Sequence, residues 1–205
     1  MTRRNPARNQ ERILRAATEE FARYGLGGAR VDRIAARAGA NKRMLYYYYG
    51  NKEDLFLAVL EARYAHIRRA ELGLHLLDLD PVQGMRRLVE FTWDHYLKHP
   101  EFLTLLNSEN LHRARHLKRS RGIAAMHSPL IAILRDLLAR GEHDGKFRKG
   151  VDPVQLYISI AALGYFYLSN RHTLSTIFER DLLSPKSKAE RLKHMTELVL
   201  GYLAK

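Results

Sequence analysis

The run from Val31 to Lys52 constrains this chain more than any other stretch of it. Ile34, Ala35 and Ala38 fall on one face at helical spacing, and Gly39 supplies a stop. Asn41 is placed to cap a second short helix by accepting a backbone N–H from its first turn. That helix opens on Lys42 and Arg43, continues through Leu45 and four successive tyrosines, Tyr46 to Tyr49, and breaks at Gly50-Asn51. A short helix, a tight turn and a second short helix form the layout that lays one helix in the major groove of DNA. A basic helix start followed by exposable aromatics suits that role.

Composition agrees. The 205 residues carry 35 Lys and Arg against 22 Asp and Glu, a formal charge of +13, which favours polyanionic partners. Residues 1–50 hold 11 cationic and 4 acidic side chains, so a quarter of the chain carries +7, over half of the excess. The absence of cysteine removes disulfides, thiolate metal sites and thiol nucleophiles. No apolar run follows the basic Met1–Pro6 segment, so it does not read as a secretory signal. The longest apolar stretch, Leu156 to Leu168, is too short to span a bilayer. The expectation is a soluble, cytoplasmic protein with no membrane partner.

Nearly every segment reads as helix, and no strand alternation or internal repeat is visible. Asn9 is placed to cap a first helix whose stripe is Ile13, Ala16, Ala17, Phe21 and Tyr24, ending at Gly25. Lys52 opens a fourth helix through Leu55, Phe56, Val59, Leu60 and Tyr64 to about Leu72, a lever roughly 30 Å long. Asp80-Pro81 and Asp152-Pro153 each read as a cap followed by proline at the first helical position. Further helices are expected at 101–116, after Ser128-Pro129, over 153–178 and over 187–204. The fold class is all-α: a three-helix helix-turn-helix domain over 1–51, then a larger helical domain over 52–205. Helix 153–178 is apolar on several faces, and with 187–204 it is the expected interface of a homodimer.

The N-terminal 60 residues resemble the tetracycline-repressor (TetR-like) family of bacterial regulators. The resemblance rests on Ile13-Leu14, Ala16-Ala17, Phe21 and Gly25, then Ile34-Ala35 and Ala38-Gly39. It continues through Leu45 to Tyr49, Asn51-Lys52-Glu53, Leu55 and Val59-Leu60. It implies that Lys42 and Arg43 enter the major groove, that Tyr46 and Tyr47 meet phosphates or base methyls, and that Lys52 holds a phosphate. Asn41 at the same helix start is counted with them. Arginine pairs bidentately with a guanine edge and a helix N-terminus favours an anion, so each role is chemically sound. The chain departs from the family where Ala29-Arg30 replaces a hydroxyl residue, where Arg43 replaces a small one, and where Met44 replaces threonine. Arg30 then offers a charged phosphate contact, and the departures bear on which operator is read. Tyr49 and Leu45 are expected to pack inward.

The same resemblance implies a small-molecule pocket within residues 80–180. Polar and aromatic residues set in apolar segments are its candidate lining: Trp93, Tyr96, Asn107, Asn110, Tyr157, Tyr165, Phe166 and Asn170. The reading is a sequence-specific, homodimeric transcriptional repressor on a palindromic double-stranded DNA operator, released by a small-molecule effector. No enzyme, cofactor, catalytic group or metal is expected. Two alternatives stand beside it. One is a non-specific nucleoid-type DNA binder. The other is a metal-dependent helical enzyme built on the i, i+4 pairs His95/His99 and His112/His116 with Glu109. The N-terminal arginines Arg3, Arg4 and Arg8 are a candidate minor-groove arm. The basic run from His112 to Arg121 reads as a solvated face or an attractor of anionic effectors.

Overall fold

Helical periodicity without strand alternation dictates the architecture of the computed structural model, which describes residues 6–205. Ten helices follow in order: α1 Pro6–Gly28, α2 Val31–Ala38, α3 Lys42–Tyr49, α4 Lys52–Leu72, α5 Pro81–Lys98, α6 Pro100–Leu111, α7 Ile123–His143, α8 Pro153–Ser169, α9 Arg171–Ile177 and α10 Pro185–Leu203. Short 3₁₀ turns occupy Leu76–Asp78 and Leu117–Arg119. The described residues form no strand, and a lone antiparallel bridge joins Phe147 and Ala204. No described helix is long and apolar enough to cross a membrane.

By packing, the chain forms two compact units, residues 1–66 with 100–124, and residues 67–99 with 125–205. In the first unit the predicted stripes meet. Ile13, Ala16, Ala17 and Phe21 of α1 bury against Ile34, Ala35 and Ala38 of α2, Leu45 of α3 and Leu55, Phe56, Val59 and Leu60 of α4. Phe21 and Phe56 stand edge to face at 5.1 Å, a favoured aromatic geometry. Leu105 of α6 completes this core, so a segment beyond α5 in the chain closes the three-helix head. Tyr24, expected on the buried stripe, is instead 40 % exposed under the Arg33 guanidinium, 4.3 Å from its ring centroid. That cation–π contact satisfies the ring at the surface.

In the second unit α5 packs against α8 and α10. Trp93, Met85, Leu88 and Val89 meet Leu156, Ile160, Met195 and Val199 in its core. The Asp-Pro signals behave as read: Asp80 accepts from the Val82 N–H at 3.0 Å, and Asp152 accepts from Val154 and Gln155 at 2.7 and 2.8 Å. Ser184 performs the same service for α10, accepting from Ser187 at 3.2 Å.

Several boundaries differ from the sequence reading. Asn9 lies inside α1, because the helix already runs from Pro6. The helix expected over 101–116 ends at Leu111. Glu109 captures the N–H groups of His116 and Leu117 at 2.9 and 3.0 Å, and Arg113 and Ala114 turn into the left-handed region. Helix α7 starts at Ile123, not at Pro129, since the Ser120 hydroxyl accepts from the Ile123 N–H at 3.2 Å and caps it upstream. The helix expected over 153–178 divides at Asn170, whose side-chain amide donates back to the Phe166 carbonyl at 2.9 Å and closes α8.

Candidate nucleic-acid interface

The turn between α2 and α3 is built from backbone chemistry. Gly39 takes φ 57° and ψ 39°, the left-handed conformation that a side chain disfavours, and its N–H returns to the Ala36 carbonyl at 3.1 Å. Arg12 of α1 reaches across to donate to the carbonyls of Ala38 and Gly39, and it fills the space a Cβ at Gly39 would need. Asn41 caps α3 by accepting from the Met44 N–H at 2.9 Å. Asn51 and Asp54 cap α4 reciprocally. The Asp54 N–H donates to the Asn51 side-chain oxygen Oδ1 at 2.8 Å, and the Asn51 side-chain Nδ2 donates to the Asp54 carboxylate at 2.6 Å.

Eight-residue α3 then divides its faces as four successive residues on a helix must. Leu45 is buried, and Tyr48 and Tyr49 lean on the core. The Tyr49 hydroxyl donates to the Gln10 carbonyl at 3.1 Å, and burial, with the neighbouring Tyr48, pushes its pKa up. Tyr46 and Tyr47 point outward, 49 % and 83 % exposed, and Asn41, Lys42 and Arg43 are exposed beside them. Among the described residues neither Lys42 nor Arg43 enters an ion pair. This is a solvent-facing strip of two cations and two phenols on one short helix.

Several other cations of the head are already engaged. Arg33 donates to the buried Glu20 carboxylate at 2.6 Å and to the Gly28 carbonyl at 2.8 Å, tying the end of α1 to α2. Arg37 pairs with Glu19 at 3.1 Å. Arg30 grips Asp32 through two parallel bonds of 2.8 and 3.1 Å, which hold the Asp32 carboxyl down at about 2, with the charge of Lys42 adding to the effect. A phosphate at Arg30 would share that guanidinium with Asp32. Lys52 is half-buried, its ammonium 3.4 Å from the Ala29 carbonyl at the entrance to α2. Arg3 and Arg4 lie outside the described residues; Arg8 is exposed on the first turns of α1.

Three polar devices escape a reading of periodicity alone. Glu109 and His116 form a buried pair on and beyond α6: His116 Nδ1 meets the Glu109 carboxylate at 2.6 Å, and its ring stands edge-on to Phe56 at 5.2 Å. His112 Nδ1 is taken by the Ser108 carbonyl of α6 at 2.7 Å, so one ring nitrogen of each of the two histidines is engaged. Arg119 pairs with Asp54 in the first turn of α4. In the second unit, Arg68 and Glu71 make a buried i, i+3 pair at 2.8 Å, with the Tyr157 hydroxyl 3.3 Å from the guanidinium. Among the described residues Arg68 Nε and Nη1 and one Glu71 oxygen have no partner, and burial raises the Glu71 carboxyl to about 7.

The eight candidate pocket residues are dispersed. Asn107 and Asn110 belong to the first unit and are exposed, the Asn110 amide donating back to the Leu106 carbonyl at 3.0 Å. Trp93 is packed into the second unit's core, edge-on to Tyr167 at 5.6 Å, and Tyr96 is buried there too. Tyr165 is half-buried, Asn170 terminates α8, and Tyr157 faces Arg68. Phe166, 58 % exposed, lines an open groove of about 490 Å³ between α8 and α10 with Ser159, Ala162, Leu198 and Tyr202. Val154 and Ile158 extend that apolar stripe along α8 at four-residue spacing, 44 % and 50 % exposed.

Comparison with known proteins places these features. Residues 13–59 match the model of bacterial regulatory proteins of the tetR family, and residues 81–199 match the tetracyclin repressor-like C-terminal domain. The HTH-type transcriptional repressor NicS of Pseudomonas putida is 42 % identical over 193 residues, 94 % of this chain and 91 % of that protein. The HTH-type transcriptional repressor SCO4008 of Streptomyces coelicolor is 42 % identical over 112 residues, 54 % of each chain. Among solved structures, the Streptomyces coelicolor protein SCO4942 superposes with a TM-score of 0.70 at 26 % identity, covering 95 % of this chain and 98 % of that one. A TetR family transcription regulator from Marinobacter aquaeolei shares the fold with a TM-score of 0.72 at 20 % identity, over 97 % of both chains.

Proposed function

The chain belongs to the tetR family of bacterial regulatory proteins, and from that premise we propose that it is a homodimeric repressor that reads a palindromic operator through α3 and releases it when a small molecule binds the helical body. The observation that carries this reading is the outward strip of Lys42, Arg43, Tyr46 and Tyr47 on a helix whose start and finish are fixed by Asn41 and Gly50. Arg43 reads a guanine edge and Lys42 neutralises an adjoining phosphate. Tyr46 and Tyr47 contact backbone or thymine methyls, and Asn41, Arg30 and Lys52 complete the footprint. Lys52 exchanges its carbonyl partner for a phosphate at the N-terminus of α4.

In this division of labour residues 1–51 are the reading head and 52–205 the effector-binding and dimerising body, with 52–66 and 100–124 packed into the compact unit of the head. The apolar stripe Val154, Ile158 and Phe166 of α8, with Leu198 and Tyr202 of α10, is the surface a second copy covers. Within the second unit the polar group best suited to receive an effector is Arg68 with Glu71 and Tyr157, since its unpaired buried atoms cost free energy until a ligand satisfies them. Effector and operator then oppose each other reciprocally, as linkage requires.

The test is a pair of variants assayed on the operator and on random duplex. Arg43→Ala is expected to weaken operator binding by about 10- to 100-fold with little change on random DNA, while Lys52→Ala weakens both alike. Equal losses on both duplexes for Arg43→Ala would remove Arg43 from base reading.

A further inference from the structure

The first unit carries a second basic surface that the recognition helix does not account for. Between Glu109 and Asp136 there is no acidic residue, and residues 113–121 hold five cations: Arg113, Arg115, Lys118, Arg119 and Arg121. All five are exposed. This run is not a free loop. Glu109 fixes its backbone through the N–H groups of His116 and Leu117, and His116 is buried against Phe56. Leu117 packs on the core of the head, and the Ser120 hydroxyl donates to Glu61 of α4 at 2.5 Å. The fixed turn therefore displays its cations from the same body that carries α3.

Its direction is set by Arg119. That guanidinium pairs with Asp54, which also receives the Asn51 amide, so the basic turn meets α4 in the first turn of the helix that Lys52 opens. A helix N-terminus with a lysine beside it is where a phosphate is expected. Asp54 would repel that phosphate, and Arg119 neutralises it. We propose that the turn 113–121 is a second DNA-backbone contact: Arg113, Arg115, Lys118 and Arg121 bind duplex phosphates next to the one held at Lys52, and Arg119 is a positioning residue that screens Asp54. The contact adds affinity and salt sensitivity without base preference, because point charges on phosphate oxygens carry no sequence information.

This inference rests on the operator-binding reading, and the experiment separates the two. The operator obtained from a random duplex pool is titrated at several salt concentrations with the full-length protein and with the variant Arg113→Ala/Arg115→Ala/Lys118→Ala/Arg121→Ala. Phosphate-ethylation interference is mapped for both. With four contacts per protomer, the log–log salt slope of the dimer falls by about 7 in the variant. Its preferred sequence stays the same, and the wild type shows blocked phosphates that the variant lacks. Lys118→Ala alone lowers the slope by about 2 and serves if the fourfold variant folds poorly. An operator bound by all three proteins with one slope and one ethylation pattern overturns the second contact and leaves the operator reading intact. Failure of the wild type to enrich any duplex overturns both.

Discussion

Glu109 offers the sharpest test of how the reading head is held together. Its carboxylate, 2 % exposed, accepts three bonds: from the His116 N–H at 2.9 Å, the Leu117 N–H at 3.0 Å and His116 Nδ1 at 2.6 Å. Glu109→Ala leaves two backbone donors and an imidazole nitrogen without their acceptor in a buried place. Removing one partner of such a buried pair costs about 3–5 kcal/mol. The turn it would release is strained as well, since Arg113 and Ala114 sit at φ 55° and 56° without the freedom of glycine. Glu109→Gln keeps one carbonyl oxygen for the two backbone donors but loses the charge and turns an amide NH2 toward His116 Nδ1, which must then switch to its acceptor tautomer, so a smaller loss of about 1–2 kcal/mol is expected. Urea unfolding at pH 7, followed by far-ultraviolet circular dichroism, measures both variants. If Glu109→Ala unfolds within about 1 kcal/mol of the wild type at an unchanged denaturant slope, the carboxylate is not the clamp described here.

The other predictions concern the cap, the buried pair and the dimer surface. Asn41→Ala removes the acceptor for the Met44 N–H; it should cost about 1 kcal/mol in thermal unfolding and weaken operator binding, because the capped helix is the reading helix. Glu71 has its carboxyl raised from the ordinary range to about 7, chiefly by burial and against the pull of Arg68. Between roughly pH 4.5 and 7 the folded state thus holds more protons than the unfolded one, and stability falls as pH rises through that window. Denaturation midpoints at pH 5 and pH 8 should differ in that direction, and Glu71→Gln should remove the group's share of the difference; an unaltered pH dependence in that variant contradicts the assignment. Phe166→Glu places a charge on the apolar stripe of α8 and should shift sedimentation from dimer to monomer while leaving the helical content unchanged. A dimer as tight as the wild type would move the interface off this groove.

Local signals read well from sequence because local chemistry causes them. Gly39 and Asn41 delimit α2 and α3 through backbone conformation and a side-chain cap, and both lie where the residue pattern puts them. Leu45 buried beside exposed Tyr46 and Tyr47 follows from helical spacing. What periodicity missed depends on partners distant in the chain. Tyr24 has the spacing of a core residue but finds Arg33 across the turn. The end of α6 is written in Glu109, whose partners lie seven and eight residues ahead, beyond the reach of a helical window. Leu105 completes the head from a segment that the sequence assigns to the second domain. Arg68 and Glu71, spaced i, i+3, look like a solvated pair until packing buries them. Trp93 and Tyr96 are buried in the second unit, and embedded aromatics of this kind have the same sequence pattern whether they line a cavity or fill a core.

Specific reading of DNA by α3 is the central claim, and selection of bound duplexes from a random pool at moderate salt tests it most directly. The account predicts an enriched palindrome whose half-sites lie about one helical turn apart, roughly 34–36 Å centre to centre, or a multiple of it. Retention that weakens with salt but enriches no motif would contradict it and leave a non-specific backbone binder.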